Sequence, residues 1–568
     1  MLDIACDRYY RYSELTQILQ DCTARYPHLA SLSSMGRSYE GRDLWLVTVT
    51  NFATGPAAEK PALWVDGNIH ATELAPSTAC LHLLQVLLNG YGGDAEITRC
   101  LDTRAFYLCP RVNPDGAEWA LAEQPRLIRS GTRPYPERAP LPKGLQEADI
   151  DGDGRILMMR IPDPQGPWKV SPADPRLLVR RSPTEVGGQY YRVFPEGYIE
   201  DYDGALIDFP EPRQGIDFNR NFPAEWRPEC EQSGAGPFPT SEPEVRALVE
   251  FVAGHPNITG VLAFHTMGGL LLRPYSHQSD EQMPPADLRT YETIGAYGTE
   301  MTGYPAWSIY HNYRSDAQQV STGAFDDWAY EERGLFAWTV EVWSPLRHLG
   351  LEEPNPLNWY RQHPPEQDVQ LVQWSDTALQ GEGYVDWYPY EHPQLGKVEL
   401  GGWNDLFTWR NPPPSLLAAE VARFPAWVIW HLLISPRLEL YAVSQAALGG
   451  DLVKICLVVQ NTGWLPSAVT QKAVAKQLVG GCLCSVTLPP EAKLVAGDRE
   501  VDVGQLEGHA DKPASPLRRH GDPTGDRAKA EWVIAAPPGT VVQLTARHER
   551  AGVVRTELVI GGPDSPPR

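Results

Sequence analysis

Apolar residues along the first 440 positions gather in short, nearly continuous runs. "LWLVTVTN" (44–51), "PALWVDGN" (61–68), "ITGVLAFH" (258–265) and "LFAWTVEVW" (335–343) are examples. Continuous runs of strand length are typical of a sheet that is covered on both faces. Amphipathic helical patterns lie between such runs, as at 77–92. The alternation predicts an α/β fold with a mixed twisted sheet and helices on both faces.

Three regions depart from this alternation. Residues 121–214 and 344–415 are rich in Pro, Gly and aromatic or charged residues, and we interpret them as insertions. From about residue 438 onward, short strand-like segments are separated by turn signals, which predicts a C-terminal β-sandwich of about 130 residues. The expected organisation is an α/β domain with two insertions at 1–437 and an all-β domain at 438–568.

Composition excludes some partners. The formal net charge of −23 argues against nucleic acid as the main partner, and the sequence has no run of eighteen apolar residues that would predict a membrane span. The first residues lack the pattern of a secretory signal, so we expect a cytoplasmic protein if Met1 is the native start.

The nine cysteines have no repeating spacing, which favours reduced thiols; Cys482 and Cys484 fit packing better than metal binding.

Three residues suited to metal binding follow apolar strands. His70 and Glu73 come just after the strand-like run at 61–68, and His265 ends the run at 258–265. A His-x-x-Glu spacing alone is weak evidence, and a single buried histidine is more often part of a core. Together, two histidines and one glutamate leave one position open on a tetrahedral zinc ion, as in catalytic sites.

Further polar residues fit the chemistry of such a site. Glu341 lies inside an apolar strand, where a carboxylate is costly unless it is paired or faces a cavity. The motif "GIDFNRNFP" places Asn219 and Arg220 beside Asp217, and an amide with a guanidinium suits a carboxylate ligand. The structural alternative for Glu341 is a glutamate at a sheet edge, and the alternative for Asn219 and Arg220 is a polar turn.

The order of these motifs resembles the zinc carboxypeptidases of the carboxypeptidase A type. The resemblance is carried by "HATE", "RVNPDG", "GIDFNRN", "LAFHTMGGLLLRPY" and "STGAFDDWAYEERGLFAWTVE", and spans about residues 8–345. It implies a carboxypeptidase-like fold and one zinc ion per chain held by His70, Glu73 and His265. It also implies that Glu341 is the general base, that Asn219 and Arg220 bind the substrate's terminal carboxylate, and that Asp217 orients a zinc-binding histidine.

Two implied roles have competing residues. The family uses an arginine to polarise the scissile carbonyl, and we favour Arg160, which ends an apolar run, over Arg126, Arg129 and Arg133. The family's mobile tyrosine aligns with Gln318 or Gln319, so that this tyrosine is absent or replaced by Tyr313 or Tyr310.

The specificity pocket also has two candidates. Asp326 stands just before the motif "DW" and would favour a C-terminal Lys or Arg, whereas Phe325 would favour an apolar residue if the motif is one residue longer than the family's. We favour Asp326.

A further motif, "DIDGDGR" from Asp149, resembles the start of a calcium-binding loop, but Arg160 stands where a bidentate glutamate is expected. A tight acidic turn is therefore preferred to a Ca2+ site.

The function predicted from the sequence is zinc-dependent hydrolysis of the C-terminal peptide bond of peptides with a free carboxylate. One alternative is a zinc amidase that acts on a γ-glutamyl or muropeptide linkage. Another is a module that binds peptide C-termini without cleaving them. The sequence does not decide the role of the C-terminal β-domain or the oligomeric state.

Overall fold

The computed structural model describes residues 2–136, 142–314, 319–351, 356–511 and 523–563. Within these ranges the strands are, in chain order, β1 Ala30–Arg37, β2 Asp43–Val49, β3 Ala62–Gly67, β4 Ala105–Cys109, β5 Gly144–Glu147, β6 Met158–Pro162, β7 Trp168–Val170, β8 Leu178–Arg180, β9 Tyr191–Pro195, β10 Gly197–Glu200, β11 Ile258–Thr266, β12 Leu270–Arg273, β13 Ala306–Ser308, β14 Phe336–Val342, β15 Tyr384–His392, β16 Gly396–Trp403, β17 Leu438–Gly449, β18 Leu452–Asn461, β19 Leu483–Thr487, β20 Lys493–Ala496, β21 Glu500–Asp502, β22 Arg527–Ala535, β23 Val541–His548 and β24 Gly552–Val559.

The α-helices of the same ranges are α1 Tyr12–Arg25, α2 Ala75–Gly90, α3 Ala95–Thr103, α4 Pro114–Ala120, α5 Pro243–Gly254, α6 Pro285–Thr302, α7 Ile309–Asn312, α8 Phe325–Arg333, α9 Pro345–His348, α10 Pro356–Arg361, α11 Pro365–Ala378, α12 Pro414–Val421, α13 Pro425–Leu433 and α14 Gln471–Ala475. Short 3₁₀ turns occur at Phe52–Thr54, Ala57–Glu59, Phe218–Arg220, Asp280–Gln282 and His509–Asp511, and a π turn occurs at Asp405–Arg410.

The main sheet has eight strands in the order β1-β2-β4-β3-β11-β14-β12-β13. Its centre, β4-β3-β11-β14, is parallel. β1 pairs antiparallel with β2, β2 with β4 and β12 with β14, whereas β12 and β13 are parallel. The apolar runs at 61–68, 258–265 and 335–343 form the central strands β3, β11 and β14, in which every residue is buried, and the run at 44–51 forms β2. The predicted mixed α/β fold is confirmed.

Alternate residues of the central strands enter two cores, one on each face of the sheet. Leu63 and Val65 pack with α1, α2, α6 and α13, and Trp64 between them packs with α5 and α8 on the other face. This alternation follows from the two-residue repeat of a strand. A sheet covered by helices on both faces leaves its strand ends as the place where polar side chains meet.

The two predicted insertions pair with one another. A second sheet has the order β15-β16-β6-β9-β7-β8, in which β6 to β9 come from the first insertion and β15 and β16 from the second. The strands join antiparallel, with Arg160 of β6 opposite Glu399 of β16. The first insertion therefore holds more strands than its sequence suggested, because they are short and only partly buried.

The C-terminal region forms two antiparallel four-stranded sheets, β17-β18-β22-β20 and β21-β19-β23-β24. Both sheets contribute to one apolar core, which includes Trp532 from one sheet and Leu544 from the other, with Cys482 and Cys484 buried in it. The predicted all-β region is confirmed. The proposed boundary between residues 437 and 438 stays a prediction.

In the described part of the chain, no single helix is long and apolar enough to cross a bilayer. One bent pair of segments, Asp405–Val421 and Pro425–Leu433, meets that criterion by length and composition alone.

Candidate metal centre and substrate cavity

Three adjacent parallel strands deliver the candidate metal ligands to one edge of the main sheet. His70 and Glu73 lie in the loop between β3 and α2, and His265 is the penultimate residue of β11. Glu341, near the end of β14, is directly opposite His265 in the strand register. Because β3, β11 and β14 are parallel neighbours, their carboxyl ends bring these four side chains together.

The donor atoms of His70, Glu73 and His265 converge. His70 Nδ1 lies 2.7 Å from Glu73 Oε1 and 3.1 Å from His265 Nδ1, and the latter lies 3.1 Å from Glu73 Oε2. Nitrogen and oxygen ligands of a tetrahedral zinc ion lie about 3.3 Å from one another. The three buried residues therefore fit a zinc ion in both donor type and spacing.

The charges around these donors favour metal-binding protonation states. Burial would raise the pKa of Glu73, but the two histidines hold that pKa well below its usual value. Burial lowers the pKa of His265, which favours the neutral imidazole that a metal requires.

Asp217 and Arg129 hold two of the candidate metal ligands in place. Asp217 Oδ1 lies 3.1 Å from His70 Nε2, the ring nitrogen that faces away from the ligand cluster. Arg129 donates from Nε to Asp217 Oδ2 at 3.1 Å and from a terminal nitrogen to Glu73 Oε1 at 3.2 Å. Burial would raise the pKa of Asp217, but Arg129 and His70 hold it well below its usual value. Such partners fix the orientation of a metal-binding histidine.

Glu341 has the environment of a proton acceptor. The Oε2 atom of Glu341 is buried, and it has no hydrogen-bond partner in the part of the chain that the structure describes. Burial and the neighbouring carboxylate of Glu73 raise the pKa of Glu341 well above its usual value. A carboxylate that is desolvated and aimed into a cavity accepts a proton more readily than one in water.

A cavity of about 310 Å³ begins at these residues and extends to Asn219, Arg220 and Asp326. Asn219 accepts a hydrogen bond from the N–H of Phe325 at 2.8 Å, which ties its turn to the start of α8. Gly323 has φ +68°, and a Cβ atom there would lie 2.3 Å from the carbonyl oxygen of Arg220. Only glycine allows the loop before α8 to approach the Asn219–Arg220 turn so closely.

The structure separates the two candidates for the specificity pocket. Asp326 lines the cavity, whereas Phe325 packs against Phe222 and Trp328 in the core. Burial and the neighbouring Asp327 raise the pKa of Asp326 to about 7. The placement favours Asp326, and its role in specificity stays a prediction.

The expectation for Arg160 is corrected by its position. Arg160 lies in β6, where its Nε donates to Glu399 at 2.8 Å and its guanidinium stacks between the rings of Tyr191 and Trp387. It is a structural residue of the second sheet. Arg129, one of the alternatives, lies at the metal centre instead. The sequence around Arg129 carries no strand signal. A hydrogen bond from the N–H of Ala71 to the carbonyl of Arg129, at 2.8 Å, joins its backbone to the His70 loop.

The candidates for the mobile tyrosine also differ in position. Tyr313 lines the cavity and donates to the carbonyl of Met267 at 3.2 Å, whereas Tyr310 stacks against Arg314. Gln319 lines the cavity, and Gln318 lies outside the described residues. Tyr313 is therefore the tyrosine placed to contact a substrate.

The acidic loop from Asp149 has the features of a turn. Asp149 accepts hydrogen bonds from the N–H groups of Gly152 and Gly154, and Asp153 pairs with Arg155. The three aspartates lie close together but are half-buried or exposed. These bonds account for the loop's shape, and nothing in them supports the Ca2+ alternative.

Comparisons with known proteins address the family. A family model described as zinc carboxypeptidase matches residues 15–351, and one described as a domain of unknown function matches residues 437–559. Carboxypeptidase A1 of Rattus norvegicus is 23% identical over 349 residues, which cover 60% of this chain and 63% of the relative. Carboxypeptidase A6 of Homo sapiens is 23% identical over 347 residues, covering 59% and 60%.

Solved structures give similar matches. Carboxypeptidase A from Helicoverpa armigera has a TM-score of 0.38 and 17% identity, covering 60% of this chain and 66% of that chain. Bovine thrombin-activatable fibrinolysis inhibitor in complex with tick carboxypeptidase inhibitor has a TM-score of 0.37 and 19% identity, covering 62% and 92%. The chain spans less than two thirds of the length of the curated relatives named above. The match of the zinc carboxypeptidase model to more than half of the chain shows that this protein belongs to the zinc carboxypeptidase family.

Proposed function

We propose that this protein is a zinc-dependent carboxypeptidase that hydrolyses the C-terminal peptide bond of peptides. The observation that carries the proposal is the placement of Glu341 and Arg220 in the same cavity as the His70–Glu73–His265 cluster. A metal cluster, a base and a carboxylate-binding group within one cavity are what removal of a terminal residue requires.

His70, Glu73 and His265 would hold one zinc ion. When bound, zinc supplies Lewis acidity, which lowers the pKa of a water molecule and polarises a carbonyl group. Glu341 accepts the proton of the attacking water through its free Oε2 atom and returns that proton to the leaving amine. Its raised pKa favours acceptance of the proton.

Arg129 is the residue best placed to stabilise the developing oxyanion. Its guanidinium reaches the metal centre, where Asp217 and Glu73 fix it, and about half of its side chain remains exposed to the cavity. A preorganised cation at this point stabilises negative charge in the transition state more than in the substrate.

Asn219 and Arg220 would bind the terminal carboxylate, which makes the enzyme an exopeptidase. A guanidinium pairs well with a planar carboxylate, and Asp326 lines the same cavity. Asp326 in its ionised form would favour a C-terminal Lys or Arg. The expected partner is therefore a peptide with a free C-terminal carboxylate and a basic last residue.

A panel of N-blocked dipeptides, tested with protein of known zinc content, checks this proposal. We expect one zinc ion per chain and release of the terminal residue. Release of a γ-glutamyl-linked residue alone would favour the amidase alternative. Tight peptide binding without turnover, with zinc bound and Glu341 intact, would favour the binding module and refute the proposal.

A further inference from the structure

A second cavity, of about 780 Å³, adjoins the metal centre. One wall is a face of the second sheet, with Met158 on β6, Leu178 on β8 and Val193 on β9. The facing wall includes Trp359, Tyr360 and Trp409. Both predicted insertions are needed to build it, because the sheet joins them.

The walls of this cavity are apolar and aromatic. Trp409 lies 5.5 Å from Trp359 and 5.9 Å from Tyr360 between ring centroids, so the three rings form one cluster. Four of the charged groups at the cavity form two pairs: His363 with Asp368 at 3.0 Å, and Arg410 with Asp405 at 2.6 Å. Arg129 and Glu147 also line the cavity, and burial raises the pKa of Glu147. A ligand here would meet chiefly ring faces and aliphatic side chains.

Arg129 connects the two cavities, since its side chain lines both. Thr72, between the ligands His70 and Glu73, also lines the second cavity. The first cavity runs from the metal centre to Arg220 and Asp326, where the terminal residue would lie. A peptide held there must leave the metal centre in another direction, and the second cavity begins at Arg129.

We propose that the second cavity binds an aromatic or large aliphatic side chain that lies upstream of the scissile bond. The inference rests on the proposed function for the direction of the peptide. Tyr360 supports it independently, because half of its side chain surface is exposed at the cavity although it is a large ring. Exposed apolar surface beside a candidate active site indicates a binding role.

The cavity suits a peptide side chain better than a sugar. Sugar hydroxyls lose their hydrogen bonds to water on burial, and paired charged groups offer few replacements. An indole or phenyl ring would instead stack on the cluster of Trp359, Tyr360 and Trp409 and gain the free energy of burying apolar surface.

The test uses acetylated pentapeptides that end in the same lysine, with Trp at each upstream position in turn on a glycine background. We expect one position to raise kcat/KM by about tenfold to hundredfold over the all-glycine peptide, the range that burial of one large side chain gives. A peptide with O-linked N-acetylglucosamine on Ser at that position should gain nothing. The ratio of two substrates cancels differences in folded or zinc-loaded enzyme.

Two pairs of variants locate the effect. Val193→Trp fills the cavity and should bring the ratio to within about threefold of one, whereas Val179→Trp on β8, adjacent to the lining residue Leu178 and so on the other face, should keep the ratio of the unmodified protein. Tyr360→Ala should lower the ratio, and Tyr198→Ala, at a comparably exposed tyrosine of the other insertion, should not.

Binding of the same peptides to the Glu341→Gln variant, measured by titration calorimetry, gives a readout without turnover. A Trp-dependent gain in affinity that Val193→Trp removes supports the cavity. Hydrolysis of the peptides without any Trp preference, a preference that survives Val193→Trp, or a gain for the sugar-bearing peptide alone would overturn it. Absence of hydrolysis from every zinc-loaded assay would instead refute the proposed function, and the calorimetry would still decide the cavity.

Discussion

The two cavities that meet at Arg129 differ in how their polar groups are arranged. In the first, Glu341 and Asp326 are carboxyl groups aimed into the space, and burial raises the pKa of each. In the second, the carboxylates of Asp368 and Asp405 are paired, and aromatic rings face the space. Desolvated charges suit bond-breaking chemistry, and apolar walls suit recognition. The ends of the main-sheet strands supply the first, and the insertions supply most of the second.

The largest effect expected in the first cavity is that of Glu341→Gln. Loss of the proton acceptor should lower kcat by about 10³-fold, since general acid–base catalysis contributes about 10²–10⁴-fold. Bound zinc, measured by elemental analysis, should be unchanged because Glu341 is not among the ligands. Glu531→Gln, on the C-terminal sheet, is the matched control and should retain full turnover. Turnover that survives Glu341→Gln would remove the functional distinction between the cavities.

Two arginines test where transition-state stabilisation lies. Arg129→Ala should lower kcat by about 10²-fold, the effect of losing one oxyanion donor. Arg160→Ala, in the second sheet, should change kcat less than tenfold, because its partners are Glu399, Tyr191 and Trp387. Steady-state kinetics on one short substrate measure both variants. A larger loss from Arg160→Ala would place the catalytic arginine in the second sheet.

Arg220→Ala should weaken binding of the terminal carboxylate. We expect a fall in kcat/KM of about hundredfold, mostly through KM, because a charge-assisted pair with a buried carboxylate is lost. The C-terminally amidated form of the same peptide is the control, since its slow hydrolysis should be equally slow in the variant. An equal loss on both substrates would show that Arg220 supports the fold of the cavity and does not bind the carboxylate.

Asp326 should make specificity depend on pH. Because the pKa of Asp326 is raised to about 7, its carboxyl group is mostly neutral at pH 6 and mostly ionised at pH 8. The kcat/KM ratio of a Lys-terminated to a Leu-terminated peptide should therefore rise about tenfold across this interval. Asp326→Asn should flatten the profile. A ratio that is independent of pH in the unmodified protein would contradict recognition by this carboxylate.

The first cavity could largely be predicted from the sequence, and the second could not. His70, His265 and Glu341 stand at the ends of apolar runs, and parallel strands bring such ends to one edge whatever their separation in sequence. Arg129 lies in a segment without regular periodicity, so its position depends on a backbone contact with Ala71 that no local pattern indicates.

The second cavity depends on the pairing of two distant insertions. Arg160 and Glu399 are 239 positions apart, and their strands are short. Arg160 ends an apolar run, which is the position that we expected for a catalytic residue, but that run belongs to the second sheet and not to the main one. An apolar run in the sequence can identify a strand, but it does not identify the sheet that the strand joins.

The central claim is that this protein removes single residues from a free C-terminus. The most direct measurement is mass spectrometry of one Lys-terminated peptide, in its free-acid and amidated forms, after incubation with zinc-loaded protein. We expect loss of the terminal lysine from the free acid and an intact amide over the same period. Internal cleavage, or equal cleavage of both forms, would contradict it.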